Sequence, residues 1–346
     1  MKAARFYGPG KFEIEDVERP PLSPDGIIMK VAYCGVCGTE IHYYKRGTYR
    51  FDQGRWNPEQ PVPSIMGHEP SGEVVEVGEN VEGIEAGMRV TVTGGGAFAE
   101  YMTVPRAIVD RTVFILPDDM SYKVGAMVEI FGSAVRGVKR AEAEPDDVIV
   151  IIGAGTLGQC VFQTFKAMGD NKLIVCGRGK KRLDTARELG ADIVIDAEAE
   201  DSVEKVMALT GGRGGDIVAD CAGSATSLVQ ATDMVRGGPF YGRRMRADGR
   251  PAGPEDKIGF TADGGKVMLM ATYEEDVQLQ PTSFFFKDAR IIAACGGPYS
   301  DALEVMKTGK VNAEALVTHE FPLDQIKEAF DTGMKQDEAI KVAITP

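Results

Sequence analysis

The stretch Val148 to Gln159, V-I-V-I-I-G-A-G-T-L-G-Q, constrains the fold more than any other. Apolar β-branched residues run straight into Gly153-Ala154-Gly155-Thr156-Leu157-Gly158. An apolar run without alternation reads as a strand buried on both faces of a parallel sheet. The glycines fit G-x-G-x-x-G, a turn that opens a helix. Gly153 would make the tight turn, Gly155 would let the backbone approach a pyrophosphate, and Gly158 would let the helix pack on the strand. Thr156 and Leu157 then open the helix, where unpaired N–H groups and the positive end of the dipole favour phosphate. Alone, such glycines also fit a turn with no ligand. Here a helical pattern runs from Cys160 to Met168 and a second strand from Lys172 to Cys176, which is the context of a dinucleotide site.

The residues just beyond the second strand bear on which dinucleotide is bound. An Asp or Glu about twenty residues beyond the glycine turn binds the ribose 2′-hydroxyl of NAD. This chain has Gly177 there, then Arg178-Gly179-Lys180-Lys181-Arg182. The missing carboxylate removes a repulsion toward a 2′-phosphate. Arg178 offers a planar fork of donors, and Lys181 or Arg182 adds charge. NADP is therefore expected over NAD. The plainer alternative is that these cations solvate the start of a helix, although there they oppose its dipole.

Around this centre the chain alternates strand and helix, which implies an α/β, doubly wound parallel sheet. Ile217–Asp220 and Lys266–Ala271 read as strands, Asp301–Thr308 and Asp324–Asp331 as helices, and Ile340–Ile344 as a closing strand. Before the centre, short runs such as Ile27–Tyr33, Glu73–Val77 and Met88–Thr93 lie between Gly/Pro turns and suggest a barrel-like β domain. Ser121–Ala141 reads as one helix capped by Ser121. A chain of 346 residues suits two domains. Its net charge of −13 disfavours nucleic acid and anionic membrane as partners. No apolar run approaches a membrane span, Met1 to Gly10 shows no signal segment, and the six cysteines are scattered. A soluble cytoplasmic protein is expected.

The residues that carry chemistry lie in the β-rich half. Cys37, His68, Glu69 and Glu129 supply a thiolate, an imidazole and carboxylates, the ligand types of a catalytic Zn²⁺ that keeps one position open. Their wide spacing has to be closed by the fold. Otherwise a cysteine is a small buried hydrophobe and His68-Glu69 a surface pair. Two of only three histidines fall in these segments; the third, His319, reads as structural. Thr39 and His42 lie two and five residues after Cys37. They read either as a proton path from a metal-bound hydroxyl or as a helix cap and an exposed histidine.

The segments C-G-V-C-G-T-E-I-H, G-H-E-P-S-G-E-V-V-E-V-G, A-F-A-E-Y-M-T-V-P and V-I-V-I-I-G-A-G-T-L-G resemble the zinc-dependent medium-chain dehydrogenases over nearly the whole chain. M-V-E-I-F-G around Glu129 is similar to the sorbitol and threonine dehydrogenase branch rather than to members with a second cysteine ligand. The resemblance implies a GroES-like catalytic domain, residues 1–138 with 290–346, and a Rossmann domain, residues 139–289. It implies zinc on Cys37 and His68, with Glu69 and Glu129 as third ligand or as partners of a zinc-bound water. It implies a proton relay through Thr39 and His42, hydride exchange between a nicotinamide and a hydroxyl-bearing carbon, and a homodimer or homotetramer formed through the Rossmann domains. The alternatives are a zinc-free quinone or enoyl reductase of the same superfamily and a nucleotide-binding protein without turnover.

Two features depart from that family. The structural zinc lobe with four close cysteines is missing: Gly94-Gly95-Gly96 leads straight to Ala97-Phe98, and no cysteine lies between Cys37 and Cys160. One zinc per chain is therefore expected. An insertion of some two dozen residues between Arg236 and Lys266 carries Arg243, Arg244, Arg246 and Arg250. It reads as a subunit contact or surface loop in preference to a clamp for an anionic substrate, because helix-to-strand connections lie away from the ligand crevice. The aromatic segment from Tyr43 to Trp56, with Tyr44, Tyr49 and Phe51, is expected to form part of a substrate wall, with burial in the core as the alternative.

Overall fold

A computed structural model describes residues 1–47, 62–238, 264–273 and 276–346. The insertion and its arginines, and Tyr49, Phe51 and Trp56, lie outside them. The chain divides into two compact units. The first comprises Met1–Gly132, Pro298–Met306 and Ala313–Pro346; the second comprises Ser133–Gly297 and Lys307–Asn312.

In chain order the first unit contributes β1 (Lys2–Gly8), β2 (Lys11–Asp16), β3 (Ile27–Val36), β4 (Ser64–Ile65), β5 (Glu69–Val77), β6 (Arg89–Val92), β7 (Tyr101–Val104) and β8 (Val113–Ile115). The second contributes β9 (Val148–Ile152), β10 (Lys172–Gly177), β11 (Ile193–Asp196), β12 (Ile217–Asp220), β13 (Lys266–Leu269) and β14 (Arg290–Ala293). The chain then returns to the first unit with β15 (Val317–Pro322) and β16 (Lys341–Thr345).

The first unit is built on a seven-stranded sheet in the order β15-β16-β3-β5-β6-β8, with β7 pairing β3, and on a small sheet β2-β1-β4. Inward residues of these strands, among them Phe6, Met29, Val74 and Val90, form one core with Phe98 and Phe330. Tyr43 and Tyr44 belong to that core. Both are buried, and the Tyr44 ring stacks on Phe12 at 5.5 Å. The amphipathic helix α1 (Gly38–Arg46) turns these rings inward, so the expectation that they wall a substrate is corrected.

The expected helix Ser121–Ala141 is two, α2 (Tyr122–Gly125) and α3 (Val128–Ala141). Ser121 does cap the first, its side chain accepting from Val124 N at 3.2 Å. The chain has to bend after Gly125, which packs so tightly that a β-carbon there would lie 2.6 Å from Leu116. The bend puts Glu129 in the first turn of α3.

The second unit is a six-stranded, wholly parallel sheet in the order β11-β10-β9-β12-β13-β14. This is the doubly wound order with two mononucleotide-binding halves, and its switch point lies at the carboxyl end of β9. Ile149 to Ile151 are fully buried, as a strand covered on both faces requires. β14 adds a sixth strand beyond residue 289, so this unit continues to Gly297.

Candidate metal centre and nucleotide turn

The metal-ligand candidates converge within the first unit. β3 runs to Val36 and hands over to Cys37, the extended N-cap of α1. β5 pairs beside β3 with Gly35 opposite Glu69, which brings the His68-Glu69 pair next to Cys37. Gly67 makes the entry possible: its φ is +98°, and a β-carbon there would fall 2.9 Å from both Cys34 Sγ and Phe98. Ligand atoms of His68, Glu69 and Glu129 lie within 4.8 Å of one another, and so do those of Cys37, Glu40 and His68. Residues far apart in sequence thus form one cluster.

Two members of this cluster are not among the residues singled out from sequence. Glu40 Oε2 accepts from the Cys37 backbone N–H at 3.0 Å, and its Oε1 contacts His68 Nδ1. It therefore braces both ligands and leaves the other ring nitrogen of His68 toward the Cys37 thiol, with which His68 is hydrogen-bonded. The signal for it is a Glu at the third helical position after Cys37, the second half of a capping box. Lys341 is the other. Its ammonium forms an ion pair with Glu69 Oε2, and both side chains are essentially buried. The signal there is a lysine inside the apolar run Ile340 to Ile344.

Burial and the crowding of charge set the electrostatics. Burial, then Glu69, pushes the Cys37 thiol up. Glu129 is pushed up to about 7, first by burial and then by the Glu69 carboxylate. Burial works against protonated His68, but Glu40 and Cys37 outweigh it and raise its pKa. The fold thus crowds a thiol, an imidazole and carboxylates into one desolvated space. Among the described residues Glu69 Oε1 has no hydrogen-bond partner, while Oε2 is held by the Lys341 ammonium. An orphaned buried carboxylate oxygen beside a thiol and an imidazole is the donor set a catalytic zinc needs, so the residues fit that ion.

Thr39 and His42 sit on one face of α1, three residues apart. Thr39 Oγ1 lies 3.7 Å from Cys37 Sγ. His319 is on β15, half-buried, with Nδ1 3.0 Å from Thr318 Oγ1; it is not part of the cluster.

In the second unit the glycine turn joins β9 to α4 (Thr156–Met168), with Thr156 and Leu157 opening the helix. Gly153 has φ +105°, and its N–H donates to Cys176 O at 2.7 Å. A β-carbon on Gly158 would lie 1.7 Å from Gly153 O. On Gly155 it would meet only Arg182 Nη1, at 3.8 Å. Arg182 belongs to α5 (Lys180–Glu188), which is tied to α4 by Gln159 Nε2 donating to Arg182 O at 2.8 Å. Gly177 ends β10 beside this turn, where a β-carbon would fall 2.6 Å from that of Ala154. Arg178 comes next and is exposed.

Comparison with known proteins agrees with both halves. The family profile for the alcohol dehydrogenase GroES-like domain matches residues 23–117, and the zinc-binding dehydrogenase profile matches residues 156–239. The chain is 29% identical to (R,R)-butanediol dehydrogenase of Bacillus subtilis, with all of both proteins covered. It is 27% identical to sorbitol dehydrogenase of the same organism, covering all of this chain and 97% of that one. The crystal structure of 2R,3R-butanediol dehydrogenase from Bacillus subtilis superposes with a TM-score of 0.81 at 28% identity, covering 100% and 99% of the two chains. With a GroES-like domain, a Rossmann domain and the clustered ligand residues in place, the chain belongs to the zinc-dependent medium-chain dehydrogenase superfamily.

Proposed function

We propose that this dehydrogenase interconverts a secondary alcohol or polyol and its ketone, with one zinc per chain and NADP in preference to NAD. The observation that carries the reading is the convergence of Cys37, His68, Glu69 and Glu129 around an orphaned carboxylate oxygen. A zinc-free reductase would have no use for so costly a cluster of buried ligand groups. Among the described residues both ligand groups share His68, which supports a single ion. The relatives named for butanediol and sorbitol support the alcohol or polyol class.

Cys37 and His68 would hold the ion, with Glu69 and Glu129 as third ligand or as acceptors for a bound water. When bound, zinc polarises the substrate oxygen and lowers the pKa of the alcohol, while the nicotinamide takes the hydride. The chain's own part is positional. Glu40 keeps the His68 ring oriented, and Thr39, next to the Cys37 sulfur, is placed to accept the hydroxyl proton. His42, on the same helical face, is placed to pass it on. In the other unit, Gly153, Gly155 and Gly158 would let phosphates approach the α4 N-terminus through Thr156 and Leu157. Gly177, Arg178 and Arg182 would accommodate the 2′-phosphate.

A homo-oligomer accords with β14. Among the described residues this strand pairs only with β13 and presents its other edge. Ile291 on it is 50% exposed, and Phe285 on the preceding helix Pro281–Lys287 is 79% exposed. An unpaired apolar edge suits an isologous contact with a second copy. The described residues contain no helix long and apolar enough to cross a membrane.

The deciding experiment combines elemental analysis with a screen of secondary alcohols, polyols, sugars and hydroxy amino acids against both cofactors. One zinc per chain and oxidation favouring NADP are expected. A metal-free protein that reduces quinones or enones would overturn the reading.

A further inference from the structure

Lys341 stands out from everything the reaction requires of a closing strand. It is 2% exposed, lies in a run of buried residues from Ala339 to Ile344, and is one of the largest fully buried side chains in the protein. A lysine is almost never so buried without a partner of its own. Its partner is Glu69, whose Oε2 it contacts.

The register of three strands makes this contact. Gly35 on β3 pairs with Ala343 on β16 and with Glu69 on β5. A β-carbon on Gly35 would sit 2.1 Å from Glu69 Oε2 and 2.6 Å from Lys341 Cε. Only glycine leaves room for the lysine and the carboxylate to meet. The pair is therefore built by backbone register from strands far apart in sequence, not gathered by chance at a surface.

We propose that Lys341 is a positioning residue for the metal centre: it occupies one oxygen of Glu69 and so presents that carboxylate to the ion through the other oxygen alone. The proposal rests on the zinc reading above. With Oε2 committed to the ammonium, Oε1 is the oxygen left without a partner among the described residues and would be the single donor to the ion. Zinc with a thiolate, an imidazole and one carboxylate oxygen then keeps a position open. Without Lys341, both oxygens would compete for the ion, and the carboxylate would lose the contact that fixes its rotamer. Lys341 also brings a fixed positive charge to a cluster that holds Cys37, Glu40, Glu69 and Glu129. It is a partner of a ligand, and such partners typically hold ~10–100-fold of metal affinity.

The test uses the full-length zinc protein. Zinc affinity is measured by competition with a chromophoric chelator, and coordination by the visible bands of the Co²⁺-exchanged protein, for wild type, Lys341→Met, Glu69→Gln and the double variant. Lys341→Met should weaken zinc by ~10–100-fold and shift the Co²⁺ bands. Its effect should vanish in the Glu69→Gln background, because it acts through that carboxylate. A structural role alone would lower thermal stability equally in both backgrounds and leave the bands in place. If Lys341→Met yields no soluble protein, Lys341→Gln, which retains a donor but no charge, takes its place and should fall between wild type and Glu69→Gln in affinity. Unchanged affinity and bands in a folded Lys341 variant would overturn the proposal. A wild-type protein that takes up no zinc would overturn the reading beneath it, so the two failures are distinct.

Discussion

The three glycines of the nucleotide turn should fail in different ways when each becomes alanine. At Gly158 the new carbon lies 1.7 Å from Gly153 O and 2.9 Å from its carbonyl carbon, both backbone atoms. The helix has to move away by about 1.3 Å to restore even a 3.0 Å separation. It is not free to do so, since Gly153 N is bonded to Cys176 O and Gln159 Nε2 to Arg182 O. Overpacking of this kind costs ~1–3 kcal/mol, and replacing glycine inside a helix returns ~1 kcal/mol. The net loss is at most ~2 kcal/mol, or up to roughly 8 °C for a domain of this size. At Gly155 the situation reverses. The nearest atom to an added carbon is Arg182 Nη1 at 3.8 Å, and φ is −72°. Free protein should therefore lose less than ~1 kcal/mol, the range for a helix N-cap. The methyl group would nevertheless fill the gap between turn and guanidinium, where a phosphate is expected. Differential scanning fluorimetry of the free protein and NADPH fluorescence titration separate the two effects. Gly158→Ala should lower Tm and weaken NADPH together, whereas Gly155→Ala should weaken NADPH by tenfold or more, or ~1.4 kcal/mol, at nearly unchanged Tm. NADPH affinity equal to wild type in Gly155→Ala would refute the phosphate role of the turn.

The same geometry sets further outcomes. Cys37→Ala should lose zinc and turnover while still binding NADPH, because the parallel-sheet unit has its own core; elemental analysis and fluorescence titration check this. Alanine at Glu69 or at Glu129 should each lower kcat, and the double variant should fall well short of the product of the two, as residues acting as a unit do. Arg178→Ala with Arg182→Ala should reduce the NADP-to-NAD ratio of kcat/KM by at least tenfold, given ~1.5–3 kcal/mol for each charged hydrogen bond. The complementary Gly177→Asp is a poorer probe, since its β-carbon would strike Ala154. If the proposed contact between copies forms through this face, Phe285→Asp with Ile291→Asp should give a smaller mass than wild type by light scattering, with the fold intact by circular dichroism, because both side chains are exposed in the single chain.

The parts of this molecule legible in its sequence are those set by local rules. The run Val148 to Ile152 can only be a doubly covered strand, and Gly153, Gly155 and Gly158 mark the turn because backbone geometry admits nothing larger at two of the three. Ile217–Asp220 is readable to the residue for the same reason. The metal cluster is legible as residue types but not as an assembly, since nothing local says that β5 will lie beside β3 with Gly35 opposite Glu69. Tyr43 and Tyr44 mislead because an aromatic near a ligand segment suits a wall and a core equally. Only the packing of α1 against Phe12 and Phe330 decides between them. Ser121–Ala141 misleads because Gly125 costs little in a helical pattern, while its contact with Leu116 is tertiary. Glu40 and Lys341 expose the deeper reason. Sequence reading looks for groups that can bind a metal, whereas a buried ligand also needs groups that hold it, and these arrive from wherever the register delivers them. The usable local trace is a charged residue where the pattern demands an apolar one, as at Lys341 within I-K-V-A-I. A charge that burial should forbid is there because another charge, fixed by the fold, requires it.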